Sequence, residues 1–214
     1  MAARHPRPDL ETVRGIVEQI ARGLRAFHRL EMLHQDLRPE NLLIDAGGTL
    51  KIIDFGSTRV AGIAEAALTV EQPALLGTAL YSAPEYFLGE HGSVRSDLYS
   101  LGVIAYQLLS GRFPYGTEVA RAKTAAAQRR LAYRSVLDDE REIPAWIDDT
   151  LKKALQPNPY RRYAELSEFL YDLRHPSPGF LNKSRPPLME RDPVLFWKGV
   201  SLALSLAVVF LLVR

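Results

Sequence analysis

The sequence predicts a mainly helical domain with one small β-hairpin, followed by a single membrane-spanning helix at the C-terminus. Three observations lead there. Behind Asp9, the residues Leu10, Val13, Ile16, Val17, Ile20, Leu24, Phe27 and Leu30 recur at helical spacing on one face. Two short apolar runs, 42–45 and 50–53, flank Ala46-Gly47-Gly48-Thr49, which reads as a hairpin turn. Residues 194–213 form an apolar run whose one charge is Lys198.

Each element follows in order. Residues 1–8 are polar and proline-punctuated and read as a disordered start. Asp9, after Pro8, caps the first helix. The hairpin glycines are turn residues, because a strand follows them; a phosphate-cradling loop needs a following helix. Residues 54–85 hold few periodic signals and read as a long loop, which in a compact domain is usually functional. Residues 96–109, SDLYSLGVIAYQLL, predict a helix buried in the domain centre. Further helices are expected over 118–131, 145–155 and 164–174. Residues 176–193 carry five prolines and read as a semi-extended linker.

The terminal run is 20 residues long, and at about 1.5 Å per residue it spans roughly 30 Å, the thickness of a bilayer's hydrocarbon core. Trp197 and Lys198 stand where an interfacial aromatic and a snorkelling cation belong. Lys183, Arg185, Arg191 and Lys198 precede or open the run and only Arg214 follows it. The excess of positive charge on that side predicts a single-pass C-terminal anchor in the inner (cytoplasmic) membrane, with residues 1–193 in the cytoplasm.

Bulk composition excludes more than it suggests. The chain has 27 basic and 25 acidic residues, so nothing supports nucleic-acid binding. It has no cysteine, which removes disulfides, thiolate metal sites and cysteine nucleophiles. Histidines show no metal-ligand spacing. The basic stretch Arg121, Lys123, Arg129, Arg130 and Arg134 reads as a solvated helix face, with substrate docking the alternative.

The chemistry lies in three segments in fixed order: HQDLRPEN at 34–41, DFG at 54–56 and APE at 83–85. A 31-residue step separates Asp54 from Glu85, and the apolar helix follows. This set resembles the signature of protein kinases, and with KIIDFGSTRVAG, the prolines and the terminal run it looks like bacterial membrane-anchored serine/threonine kinases. The fold the resemblance implies is the C-terminal lobe of the protein-kinase fold over residues 9–175, with ATP and Mg2+ as cofactors and a protein as substrate.

By the same resemblance, Asp36 is the carboxylate that orients the substrate hydroxyl and accepts its proton, and Asn41 and Asp54 hold magnesium. Arg38 stands where the family usually has a lysine that touches the transferred phosphoryl group; its planar fork fits differently. Thr78 matches the threonine that bonds the loop aspartate and favours serine or threonine substrates. His34 is a packing element stacked with Phe55. Glu85 is expected to pair with Arg162, with Arg161 the other option, and Asp97 to anchor the catalytic loop's backbone.

Two departures from the family stand out. Gln35 replaces the arginine that receives an activation-loop phosphate, so phosphorylation at Thr69 or Ser57 lacks its usual reader. The glycine-rich loop, its strand lysine and the partner glutamate of the small N-terminal lobe have no counterpart upstream of Asp9. The sequence therefore predicts a serine/threonine kinase lobe signalling at the membrane, anchored in lipid through 194–213. The small lobe would come from a longer chain or a partner. The alternative is a non-catalytic membrane-anchored scaffold.

Overall fold

The computed structural model describes residues 7–54, 59–60, 79–137, 142–183 and 193–213, with the side chains of 59, 60, 183, 193, 195, 212 and 213 outside that description. The chain divides into two units, residues 1–176 and 177–214.

In the first unit, helix α1 runs Leu10–Arg29. The Asp9 carboxylate accepts from the Thr12 amide at 2.7 Å, satisfying one of the first-turn donors. Val13, Val17, Ile20, Ala21 and Leu24 are buried along one face, whereas Leu30 falls past the helix end and is exposed. Glu31, with φ 55°, turns the chain out of the helix and into β1, Met32–Leu33. A 3-10 turn, Pro39–Asn41, then leads into β2, Leu42–Ile44, which pairs antiparallel with β3, Leu50–Ile52, in the register Leu42 to Ile52. The Asp45 carboxylate accepts from the amides of Gly47 and Thr49, and Gly48 takes φ 79°, so the turn residues close the hairpin. β4, Arg59–Val60, pairs with β1.

Helix α2, Val94–Ser110, is the core of the unit. Its start is fixed twice: the Ser93 hydroxyl accepts from the Arg95 amide, and the Ser96 hydroxyl accepts from the Ser93 amide. Gly111, with φ 67°, ends it in the left-handed conformation that a C-terminal glycine favours. Nearly all of it is buried, including Leu98, Tyr99, Leu101, Val103 and Tyr106. A helix apolar on every side must be surrounded, and α2 packs against α1 and against α4, Ala145–Ala154. Helix α5, Leu166–Arg174, covers α1 and α4.

The segment expected as one helix over 118–131 is two short pieces. A 3-10 turn, Val119–Arg121, ends at Ala122, whose ψ of 67° breaks the helix, and Thr124 then caps α3, Ala125–Arg129. The break has a tertiary cause: the buried Gln128 carboxamide donates to the carbonyls of Pro84 and Ala122.

The second unit holds α6, Pro178–Lys183, and α7, Pro193–Val213. The linker expected to be semi-extended is therefore helical over its first part. Helix α7 exposes Leu202, Leu204, Leu206, Phe210 and Leu211. Among the described residues, however, no helix is long and apolar enough to cross a membrane. This corrects the expected membrane-spanning helix over 194–213. It also removes the ground for a single-pass anchor and for the location deduced from it.

Candidate functional site

The candidate site is assembled at the end of the β2–β3 hairpin. Asp36 is half-buried and follows buried His34; Leu37, next along, is fully packed away. The Asn41 carboxamide nitrogen donates to the Asp36 carbonyl at 2.7 Å and to its carboxylate Oδ2 at 3.1 Å. Because Nδ2 is committed to Asp36, the Asn41 Oδ1 is left as the acceptor side of the amide. The Ile53 amide donates to the Asn41 carbonyl at 2.9 Å, extending the ladder one step beyond β3. Asp54 comes next in the chain, so the hairpin brings Asn41 and Asp54 to one edge.

Asp54 is exposed and has φ 61°, the left-handed region that a side-chain-bearing residue rarely occupies. Gln35, two residues after Leu33, does the same with φ 67°. Such backbone persists where surrounding contacts over-determine it. For Gln35 those contacts are visible: its amide donates to Asp97 Oδ1 at 2.9 Å, while the His34 amide donates to Asp97 Oδ2 at 3.0 Å. The buried Asp97 carboxylate, in the first turn of α2, thus holds two consecutive loop amides. His28 Nε2, from the end of α1, meets Asp97 Oδ2 at 2.9 Å. His28 was not singled out from sequence.

Burial raises the Asp36 carboxyl above its ordinary range, opposed by the Asn41 hydrogen bond and the nearby Arg38 and His34, and reinforced by the Asp54 charge. Arg38 Nε donates to the exposed Glu40 carboxylate at 2.9 Å, and this bond holds the guanidinium above its usual value. Its charge is therefore shared with Glu40.

Further out, Glu85 and Arg162 form a buried two-pronged pair, with Nη1 to Oε1 at 2.8 Å and Nη2 to Oε2 at 2.6 Å. Arg162 also donates to the carbonyls of Gln156, Arg95 and Pro157, so all five of its N–H groups are used. Ser96 Oγ donates to Glu85 Oε1 at 2.7 Å. Of the two arginines considered, Arg162 is the one at Glu85. The His34 ring lies 5.9 Å from that of Phe27, tilted by 58°. Phe55, Ser57, Thr69 and Thr78 lie outside the described residues.

Sequence reading also missed Gln19. Its carboxamide accepts from the Leu50 amide at 2.8 Å and donates to the Gly48 carbonyl at 3.4 Å, clasping the hairpin to α1. Gly23 makes the same approach possible, because a Cβ there would stand 2.7 Å from Ile52 Cδ1.

Among the described residues no three histidines, aspartates or glutamates cluster as a metal site. Magnesium needs less: one or two protein oxygens, with water and phosphate filling its octahedron. The exposed Asp54 carboxylate and the free acceptor of Asn41 fit that donor set.

A half-buried carboxylate held by a carboxamide thus stands near an exposed carboxylate on a hairpin edge of a helical lobe. The protein kinase domain family matches residues 3–172. This chain belongs to that family. It is 36% identical over 166 residues to the serine/threonine-protein kinase PknL of Mycobacterium tuberculosis, covering 76% of this chain and 39% of that protein. It is 35% identical over 153 residues to PknA of Corynebacterium glutamicum, named a serine/threonine-protein kinase, covering 72% and 31%. A relative from Corynebacterium efficiens, also named a serine/threonine-protein kinase, is 35% identical over 157 residues, covering 72% and 28%. The chain spans roughly a third of the length of these curated relatives.

Proposed function

We propose that this chain carries the catalytic-loop lobe of a protein serine/threonine kinase, and that Asp36, Asn41 and Asp54 are its chemical centre. The observation that supports this most is the double hydrogen bond from Asn41 to Asp36, with Asp54 brought to the same edge by the ladder bond from Ile53 to Asn41. Magnesium-bound ATP, when present, supplies the γ-phosphoryl group for transfer. The chain's own residues do the rest. Asp36 orients a serine or threonine hydroxyl of a protein substrate and accepts its proton, a role its raised pKa suits. Asn41 fixes the Asp36 carboxylate and offers an oxygen to magnesium; Asp54 offers the charged oxygen. Arg38 contributes positive charge at the loop, and for Thr78 and Phe55 the reading rests on the resemblance alone. His34 packs in the loop, Asp97 holds the loop's amides, and Glu85 and Arg162 form the buried pair further out.

The 214 residues contain no glycine-rich phosphate loop of the kind the family uses. The reading therefore includes a complementary small lobe, from a longer chain or a partner, seated over the exposed Leu43 and Ile44 of β2. That same exposed apolar strand favours a second reading, a non-catalytic scaffold that binds a partner through this face.

Nucleotide binding separates them. In the kinase reading the native protein that contains this chain binds magnesium–ATP measurably more tightly than ATP with chelator, and Asp54→Ala removes the difference. Binding that is indifferent to both magnesium and Asp54 would overturn the assignment and leave the scaffold.

A further inference from the structure

The basic segment around α3 is the feature that the site leaves unused. Residues 119–137 contain Arg121, Lys123, Arg129, Arg130 and Arg134 and no carboxylate; the nearest in sequence are Glu118 before it and the run from Asp138 after it. All five cations are exposed, and among the described residues none pairs with a carboxylate. An exposed helix face usually interleaves both signs, since like charges at close spacing repel. Here only one sign is present.

This patch is tied to the site by a continuous structural path. Arg38, two residues after Asp36, lies near Tyr81. The Tyr81 carbonyl accepts from Ser100 at 2.9 Å, which holds that strand of loop on α2. Three residues on, the Pro84 carbonyl accepts the hydrogen bond from buried Gln128 at 2.5 Å, and Gln128 is flanked in α3 by Arg129 and Arg130. The turn Val119–Arg121 packs on the turn Pro84–Leu88. The basic face is thus packed against the segment from Tyr81 to Leu88.

We infer that this face docks an acidic segment of the protein substrate, apart from the hydroxyl that is phosphorylated. The inference rests on the proposed kinase reading. A protein partner fits better than nucleic acid. Nucleic-acid surfaces interleave basic residues with exposed aromatic platforms, whereas Tyr133, the aromatic of this segment, is half-buried and bonded to Asp148. The whole-chain balance of 27 basic to 25 acidic residues also lacks polycation character.

The test measures fluorescence anisotropy of a labelled Glu/Asp-rich peptide lacking serine and threonine, with the full chain at low and at raised salt. One variant combines Arg121→Ala, Lys123→Ala, Arg129→Ala and Arg130→Ala. A control combines Arg22→Ala, Arg25→Ala and Arg29→Ala, three exposed cations of α1. Circular dichroism verifies that both fold. The expected result is salt-sensitive binding that the first variant weakens about tenfold or more and the control leaves within about twofold. Equal weakening by both variants, or oligouridine binding more tightly than the peptide at the same salt, would overturn the inference. Since the peptide carries no phosphate acceptor, the result is independent of phosphoryl transfer. Failure of the kinase reading would show separately, as peptide bound through this face with no magnesium-dependent nucleotide binding.

Discussion

The carboxamide of Asn41 holds Asp36 at two points, the backbone carbonyl at 2.7 Å and the carboxylate at 3.1 Å. One side chain therefore fixes both where the Asp36 loop lies and where its acid points. Removing it has two separable effects. Asn41→Ala is expected to cost about 1–2 kcal/mol of stability from the lost hydrogen bonds. It is also expected to lower any phosphoryl transfer by about a hundredfold or more, by loosening the acid and removing a magnesium oxygen. Urea unfolding and a phosphate-transfer assay read the two effects independently.

The Glu85–Arg162 pair is expected to be costly to break and cheap to leave alone. Both groups are buried, and Arg162 spends three further donors on the carbonyls of Gln156, Arg95 and Pro157. Glu85→Ala leaves a buried guanidinium without its counter-charge, with an expected loss of about 3–5 kcal/mol. Glu85→Gln, which keeps one acceptor, should lose less. A double-mutant cycle with Arg162→Ala, followed by denaturant midpoint, measures the coupling.

Asp97 acts on the loop from within α2. Asp97→Asn retains an acceptor for one loop amide and loses the charge that serves His34, Gln35 and His28 together. Hydrogen bonds to a charged group contribute about 1.5–3 kcal/mol each. The expected outcome is faster amide exchange at His34 and Gln35, with exchange in the middle of α2 nearly unchanged. Uniform acceleration along α2 would instead mean that Asp97 stabilises only the helix.

A raised carboxyl pKa makes a signed statement about pH. Because the Asp36 carboxyl sits above its unfolded value, its ionisation opposes folding, and the favourable contribution is present below about pH 4. That contribution is lost as pH rises through the folded value. Asp36→Asn removes the penalty while keeping the shape. The variant is expected to melt about 1–2 °C above the parent at pH 7, an advantage that shrinks toward pH 3. Thermal unfolding across that range checks it.

Much of the lobe was legible from periodicity and punctuation. The α1 stripe, the Gly47-Gly48 turn and the uniformly apolar α2 each carry a local signal strong enough to read. The expected helix over 118–131 was misread because its break is set by Gln128 bonding back to Pro84 and Ala122, a tertiary contact with no local signature. In retrospect Thr124 was a visible cap. His28 and Gln19 escaped for a related reason. Each works through a partner many residues away, Asp97 in one case and Leu50 in the other, and nothing in spacing marks such a pair. The C-terminal span was read from the length and apolarity of 194–213 and the charges flanking it; among the described residues, no helix is long and apolar enough to cross a membrane.

The most direct test of the central claim is transfer of labelled γ-phosphate from magnesium–ATP to protein serine or threonine by the native protein that contains this chain, compared with its Asp36→Asn variant. Incorporation is expected to fall by about a thousandfold or more in the variant, with the fold intact by circular dichroism. Incorporation that survives Asp36→Asn unchanged would contradict it, and would place the chemistry elsewhere than in the loop that Asn41 and Asp97 hold together.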